Sequence, residues 1–146
     1  MATFTASEIT PTPKVNVTGV QTVTGDVAAV GVTGTASSVF YFVKVPLGAT
    51  IVDWMWTGSD LAANQTYKLG LRLPISDTWT VTESILASDL SFTGGQSHRA
   101  TNAKLPVKVT LTNNAINSYA WVQAVAAVAI SASASHRFTL FYTMDN

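Results

Sequence analysis

The sequence contains no cysteine, and this absence removes several classes of site from consideration. Disulfide frameworks, thiolate nucleophiles and zinc sites built on cysteine are all excluded. The lack of cysteine also fits a chain made in a reducing cytoplasm. At 146 residues, the chain has the size of one domain and can bury a sizeable hydrophobic core without covalent cross-links.

Charge is also scarce in this sequence. Only 11% of the residues are charged, whereas an average globular chain has about 25%. Eight basic and eight acidic residues give a formal net charge of zero, and the basic residues form no cluster. Nothing therefore steers the chain towards nucleic acid or an anionic membrane, and we expect neither as a partner. A neutral surface also offers little repulsion between copies, which favours self-association.

Long apolar runs and catalytic motifs are missing as well. The most apolar stretch, "AVAAVAI", is far shorter than the roughly 20 residues of a membrane helix, and "MATFTASEIT" lacks the pattern of a signal peptide. There are two histidines, His98 and His136, and no P-loop, G-x-S-x-G elbow or calcium loop. We therefore predict no catalytic, cofactor-binding or metal-binding residues, and no enzymatic activity.

What the sequence does contain is the pattern of β-strands. Thr and Val dominate, and alternating stretches such as "SSVFYFVKVP", "TIVDWMWTG" and "TYKLGLRLP" are separated by Gly and Pro. About eight such strands, with turn signals roughly every 8 to 12 residues, predict an all-β fold made of a two-sheet antiparallel sandwich. A jelly roll is the favoured topology, and an immunoglobulin-like sandwich is the alternative.

The best-defined local feature is a hairpin between "YFVKV" and "TIVDWMW". Pro46 suits the second position of a type I turn, and Gly48 can take a positive φ at the fourth. Because side chains alternate along a strand, Trp54 and Trp56 share a face with Val52. This pattern favours the core over a binding surface for both tryptophans.

Some segments allow more than one interpretation. Trp79, in the polar stretch "SDTWTVT", fits either packing under a loop or contact with a partner, whereas Trp121 is interpreted as a core residue. Residues 83–90 carry the only plausible helical turn, and the sequence does not decide between helix and loop. Both faces of "SSVFYFVKVP" are apolar, so we expect this strand to be covered on both sides.

The N-terminal residues differ from the rest of the chain. The stretch "TPTP" cannot be helical, because each proline fixes its own φ and restricts the residue before it. We predict that residues 1–14 form an extended arm and that residues 15–146 form a single β-sandwich domain. The candidate partner contacts are Phe4, Ile9, Pro11, Pro13 and Trp79.

Four short motifs, in this order along the chain, resemble a group of small proteins found in virion gene clusters of tailed bacteriophages. They are Val45-Pro46-Leu47-Gly48-Ala49, Ile51-Val52-Asp53, Leu69-Gly70-Leu71 and Tyr142-Thr143-Met144-Asp145. The resemblance covers residues 38–146, and the first 37 residues lie outside it. Val45 stands where leucine is commoner in this group.

The resemblance implies a jelly-roll decoration, or cement, protein of the phage capsid. Such proteins bind the outside of an icosahedral shell as homodimers or homotrimers and bridge subunits of the major capsid protein. We therefore expect a virion structural protein that is made in the host cytoplasm and located on the capsid exterior, with no catalytic residues. The alternative is a receptor- or carbohydrate-binding domain of a phage fibre or tail structure, which would use Trp79 or the face of Trp54 and Trp56.

Overall fold

The computed structural model describes residues 3–8, 19–27, 36–60, 64–75, 78–101, 104–110, 119–131 and 134–144. In these ranges the chain forms eleven β-strands and no α-helix, and thus no helix that could cross a membrane. The strands are β1 (Thr3–Thr5), β2 (Ser7–Glu8), β3 (Gln21–Val27), β4 (Val39–Pro46), β5 (Ala49–Ser59), β6 (Tyr67–Ile75), β7 (Thr78–Leu90), β8 (Gln96–Arg99), β9 (Val107–Lys108), β10 (Tyr119–Ala126) and β11 (Ser135–Met144).

The strands form two sheets that pack face to face. The first sheet has the order β1-β4-β10-β6-β7, and the second has the order β2-β3-β11-β5-β8, with β9 also paired to β5. The pair β1 and β4 is parallel, and the other described pairs are antiparallel. The prediction of a two-sheet β-sandwich is therefore confirmed. The predicted hairpin of β4 and β5 is wrong, although the turn between them is present. The turn carries the chain from one sheet to the other, because β4 pairs with β1 and β10 whereas β5 pairs with β8, β9 and β11.

The pairing pattern identifies the topology. Strands β3, β4, β5, β6, β7, β8, β10 and β11 can be counted from first to eighth in chain order. The first then pairs with the eighth, the second with the seventh, the third with the sixth and the fourth with the fifth. This nested pairing is that of a long antiparallel ribbon folded over itself into two sheets. It is the jelly roll that the sequence favoured.

A β-bulge in β4 decides which of its side chains face the core. The register with β10 shifts at Phe42, so the alternation of inward and outward side chains changes phase there. Tyr41 and Lys44 are only half-buried, and they lie on the outer face of the sheet. The bulge therefore explains why apolar residues occupy both sets of alternate positions in the sequence of β4. The prediction that other parts of the chain cover both faces of this strand is wrong. The buried apolar side chains of β4 are Phe40, Phe42, Val43 and Val45.

A second bulge places the tryptophans of β5. The register with β11 shifts at Val52, which separates the inward-facing Ala49 and Ile51 from the later inward-facing residues. Trp54 and Trp56 follow the bulge and are 1% and 0% exposed. Their prediction as core residues is confirmed. The prediction that they share a face with Val52 is wrong. Val52 lies at the bulge, where the alternation of inward and outward side chains changes phase.

Aromatic rings from both sheets fill the space between the layers. Phe42 of the first sheet stacks on Phe138 of the second, with ring centroids 5.2 Å apart. The Trp56 ring lies 4.4 Å from Phe92, which follows β7. Close packing of this kind makes the core sensitive to any change of volume. The largest fully buried aromatic side chains are Trp54, Trp56, Tyr67, Tyr142, Phe40, Phe42, Phe92 and Phe138.

Residues 83–90 belong to the edge strand β7, so they form neither the helical turn nor the loop that the sequence left open. The register between β6 and β7 shifts twice between the pairs Tyr67–Leu90 and Leu71–Thr82. Over this stretch β7 contains several more residues than β6, and the extra residues form an excursion away from the regular ladder. Gly70 permits this excursion, because a Cβ at this position would collide with the backbone of Thr82 and Glu83. The pairing with β6 thus overrides the weak helical pattern.

The described part of the N-terminal segment lies against the sandwich. Strand β1 extends the first sheet beside β4, and β2 extends the second sheet beside β3. Between them, the buried Ala6 donates its N–H to the carbonyl oxygen of Tyr41 at 2.9 Å, and Phe4 stacks on Phe40 at 5.3 Å. The residues Ile9, Pro11 and Pro13, and the predicted boundary at residue 14, lie outside the described ranges.

Candidate functional site

The outer face of the first sheet carries large aromatic side chains that the core does not use. On β10, Ala120 and Val122 point inward and are fully buried, so Trp121 between them points outward and is half-buried. The interpretation of Trp121 as a core residue is therefore wrong. We call this surface the aromatic patch and define it by Tyr41, Lys44, Arg72, Trp79, Tyr119 and Trp121.

Arg72 lies at the centre of the aromatic patch. Its guanidinium carbon is 5.1 Å from the ring centroid of Tyr41 and 4.7 Å from that of Trp79, distances at which a cation is attracted to a ring. Its Nη1 also donates a hydrogen bond to the hydroxyl of Tyr41. Tyr41 stacks on Trp121 at 5.6 Å, and the Nζ of Lys44 lies 5.4 Å from the Trp121 centroid. One connected cluster therefore spans β4, β10, β6 and β7.

The electrostatics of Arg72 differ from those of the other two arginines. Arg99 forms an ion pair with Asp53 at 3.0 Å, and Arg137 forms one with Asp26 at 3.2 Å. No described carboxylate pairs with Arg72, and its Nε is buried without a hydrogen-bond acceptor. A buried donor that lacks an acceptor costs free energy, so Arg72 retains unused hydrogen-bonding capacity.

The residue types of the aromatic patch are those of protein interfaces. Trp, Tyr and Arg are over-represented among the residues that dominate binding energy. Val81, which pairs with Arg72 across β6 and β7, adds an apolar side chain that is 44% exposed. Trp79 is half-buried at the same edge. Its assignment to a partner contact stays a prediction, and the structure adds Tyr41, Arg72 and Trp121 beside it.

Alternation along β10 is the signal in the sequence that locates Trp121. In "YAWVQAVA", Ala and Val occupy one set of alternate positions, and Tyr119, Trp121, Gln123 and Val125 occupy the other, so the large and polar side chains share one face. The Ala-rich composition of the segment obscures this pattern, because nearly every position looks compatible with a core. Arg72 gives no comparable signal, since its aromatic neighbours lie on other strands.

A second group of polar side chains lies inside the sandwich. Trp56 donates its Nε1–H to Nδ1 of His136 at 3.0 Å, and Tyr67 donates its hydroxyl to Oδ2 of Asp60 at 2.6 Å. Burial lowers the pKa of His136 to about 4, although the negative charge of Asp60 opposes this shift. Burial, followed by the hydrogen bond to Asp60, raises the pKa of Tyr67. Gly58 leaves room for the imidazole, because a Cβ there would collide with it.

These internal groups support the fold and offer no reaction centre. His136 is 2% exposed and is surrounded by aromatic rings, so it is held neutral and away from solvent. His98 belongs to β8, where its Nε2 lies 2.7 Å from the carbonyl oxygen of Ser91. Over the described ranges, no group of three or more His, Asp or Glu residues is placed to hold a metal ion.

A groove of about 790 Å³ lies at one end of the second sheet. Its lining consists mainly of small residues and polar residues, among them Thr57, Ser97 and Arg137. The described lining includes no Trp, Tyr or Phe. The imidazole of His136 also lines it, but this ring is 2% exposed, so the described lining offers no accessible flat ring on which a sugar or a nucleobase stacks. The aromatic patch is the stronger candidate for a recognition surface.

The two layers and the nested strand pairing define the class of fold as a jelly-roll sandwich, and solved structures with this fold include virus capsids. A chain of the capsid of Ralstonia phage GP4 matches with a TM-score of 0.76 and 17% identity, over 99% of both chains. A chain of the cyanophage Pam1 capsid asymmetric unit matches with a TM-score of 0.65 and 19% identity, over 94% of this chain and 93% of that one.

A more distant match comes from the structure of infectious bursal disease virus Gt strain. Its TM-score is 0.55 at 13% identity, and it covers 93% of this chain but only 35% of the other. No protein-family model and no curated protein sequence matches the chain. At identities this low, the structural likeness establishes the fold alone.

Proposed function

We propose that the protein is a virion structural protein of the decoration, or cement, type. It binds the outer surface of the phage capsid and stabilises the shell by bridging subunits of the major capsid protein. The observation that carries this proposal is the match to a chain of the Ralstonia phage GP4 capsid over 99% of both chains. The matched unit is therefore a whole small chain from a capsid, and not one domain of a larger protein.

The sequence motifs support the same proposal independently of the overall shape. Residues 45–49 form the end of β4, the tight turn and the start of β5, and Gly48 in this turn has a φ of 87°. Its N–H donates to the carbonyl oxygen of Val109 at 2.8 Å, which anchors the turn to the segment after β9. The first of the motifs that resemble the phage proteins thus forms the turn that links the two sheets between β4 and β5.

Multivalent contact supplies the mechanism. A copy that bridges two shell subunits makes its second contact as an intramolecular event, so modest individual contacts give firm attachment. The low charge of the chain limits the cost of removing its surface from water. Association of the protein with itself, as a homodimer or homotrimer, adds further points of attachment in the same way.

The alternative function is a receptor- or carbohydrate-binding domain of a fibre or tail. It loses one of its two candidate surfaces, because Trp54 and Trp56 are buried in the core. Trp79 remains, but the guanidinium of Arg72 packs against its ring. The structure therefore favours a surface that presents cationic groups over one that presents bare rings.

The test uses shells of the parent phage that lack this protein. Purified protein is added in increasing amounts, and bound copies are counted after sedimentation and located by electron microscopy. We expect saturable binding at a fixed number of copies per shell, outside the shell wall, and a higher melting temperature of the decorated shells. Absence of binding would refute the proposal. A glycan array tests the alternative function, with Trp79→Ala as the control variant.

A further inference from the structure

We infer that the aromatic patch docks a carboxylate side chain of a shell subunit onto the guanidinium of Arg72. The inference rests on the proposed function for the identity of the partner, and it adds the chemistry of the contact. The occupant is an acidic segment of another protein, with Arg72 as the charged anchor and Tyr41 and Trp79 as the walls beside it.

The first argument is charge complementarity. Three described ion pairs neutralise Arg99, Arg137 and Lys68. In the third of these pairs, Nζ of Lys68 lies 3.5 Å from a carboxylate oxygen of Glu83. Arg72 and Lys44 lie on the two strands that flank β10, each paired with Trp121, and no carboxylate of the described ranges pairs with either. The first sheet thus presents two positive charges on one face of a protein whose formal net charge is zero. A partner with negative charge at this face is attracted, and one with positive charge is repelled.

The second argument is preorganisation. The guanidinium of Arg72 is held between the rings of Tyr41 and Trp79 and is fixed by a hydrogen bond to the Tyr41 hydroxyl. An arginine side chain normally loses rotamer freedom when it binds, and this cost weakens the contact. Here the fold has already restricted the side chain. Arginine also offers a planar set of donors that matches a carboxylate, which lysine does not.

The third argument is the unsatisfied donor. Nε of Arg72 is buried and has no hydrogen-bond acceptor among the residues that the structure describes. Arginine has five N–H donors, and the bond to Tyr41 accounts for one of the donor groups. The guanidinium therefore keeps N–H donors that the fold does not use, and a carboxylate that docks on its accessible side accepts from them. The same deficit does not arise at Arg99 or Arg137, which already contact carboxylates.

The packing also argues against a sugar as the occupant. A sugar binds an aromatic platform by lying against an open ring. In the aromatic patch, Arg72 packs on Tyr41 and Trp79, while Trp121 is in contact with Tyr41 and Lys44. The rings are thus engaged in holding cations, and the groups left for recognition are N–H donors.

The decisive experiment measures binding to the same undecorated shells with matched arginine variants. Arg72→Gln removes the charge from the aromatic patch, and Arg137→Gln removes an equal charge from the outer face of the second sheet. We expect Arg72→Gln to bind roughly 10- to 100-fold more weakly, as for the loss of one charge-assisted contact. We expect Arg137→Gln to bind like the wild type. Lys44→Gln should weaken binding by a smaller factor, and thermal melts of each variant confirm that it is folded.

A second measurement does not depend on shells. The Nε–H signals of the three arginines are followed by NMR while hexaglutamate or hexaglutamine peptide is added at low salt. We expect hexaglutamate to shift the Arg72 signal more than the Arg137 signal, with reversal at high salt because screening weakens the attraction. Hexaglutamine should produce no such shift.

The outcomes separate the two proposals. If the wild type and Arg72→Gln bind shells equally well, the docking inference is wrong while the proposed function stands. If the wild type does not bind shells, the proposed function is wrong. If hexaglutamate leaves the Arg72 signal unchanged, the docking inference is wrong, whatever the result with shells. Glycan binding that needs Trp79 and is unchanged in Arg72→Gln would also overturn it, in favour of a sugar at this face.

Discussion

The buried imidazole of His136 makes the stability of the protein depend on pH in a defined direction. In the folded chain His136 is 2% exposed, and its Nδ1 accepts the hydrogen bond from Trp56. Protonation of Nδ1 would break this bond and place a positive charge among aromatic rings. Burial therefore lowers the pKa of His136 from 6.5 to about 4.

The sign and size of the effect follow from proton linkage. Between pH 6.5 and pH 4 the unfolded chain binds a proton at this histidine and the folded chain does not, so the free energy of unfolding rises with pH in this window. The contribution of His136 is fully present above pH 6.5 and is lost as the pH falls towards 4. The difference between the two pKa values corresponds to about 3 kcal/mol. This is a large part of the roughly 5 to 15 kcal/mol that stabilises a typical domain.

The assay is urea unfolding at several pH values between 4 and 7, for the wild type and for His136→Gln. Glutamine offers an oxygen to the Trp56 N–H but does not titrate, so His136→Gln should be less stable at pH 7 and should show a flatter pH dependence than the wild type. His98→Gln is the control and should keep the wild-type slope. Equal slopes for the wild type and His136→Gln, or an imidazole of His136 that titrates near 6.5 by NMR, would contradict the reasoning.

Further predictions concern glycine and the N-terminal segment. Gly70→Ala should destabilise the fold by more than about 2 kcal/mol, because its Cβ meets the backbone of Thr82 in the excursion of β7. Gly94→Ala is its control and should cost only about 1 kcal/mol, since nothing lies within 4 Å but φ is +77°. Phe4→Ala should cost roughly 1 to 2 kcal/mol, because Phe4 is half-buried against Phe40. Urea unfolding measures all three variants, and a Phe4→Ala variant as stable as the wild type would show that β1 contributes little to the fold.

The fold could be predicted from the sequence where the signals are local. Strand composition, turn residues and the Pro46-Leu47-Gly48 turn depend on neighbouring residues, and each of them is visible in the sequence. The sequence does not show that this turn joins the two sheets instead of closing a hairpin, because the partners of β4 and β5 lie far along the chain. The bulges at Phe42 and Val52 could not be predicted in this way. A bulge changes the phase of the alternation, so a strand with a bulge shows apolar residues at both sets of positions. This is the same pattern as a strand covered on both faces.

The candidate site was harder to predict because its residues come from four strands. Trp79 could be singled out by its polar neighbours in the sequence. Arg72, Tyr41 and Trp121 become a cluster only when β10 lies between β4 and β6, and that order follows from pairings between distant segments. The sequence alone therefore assigned Trp121 to the core and gave Arg72 no role.

The division of the tryptophans between the two faces of the sheets bears on the proposed function. Trp54 and Trp56 fill the core, where burial of apolar area stabilises the fold. Trp79 and Trp121 lie outside it, where they hold cationic side chains at a half-exposed surface. The fold gains less from these two residues than it would from buried ones, and a solvated face of a monomer does not require them. Such residues are over-represented at interfaces, and a cation held between aromatic rings contributes most when a partner covers it and excludes water, so this division supports the proposed function.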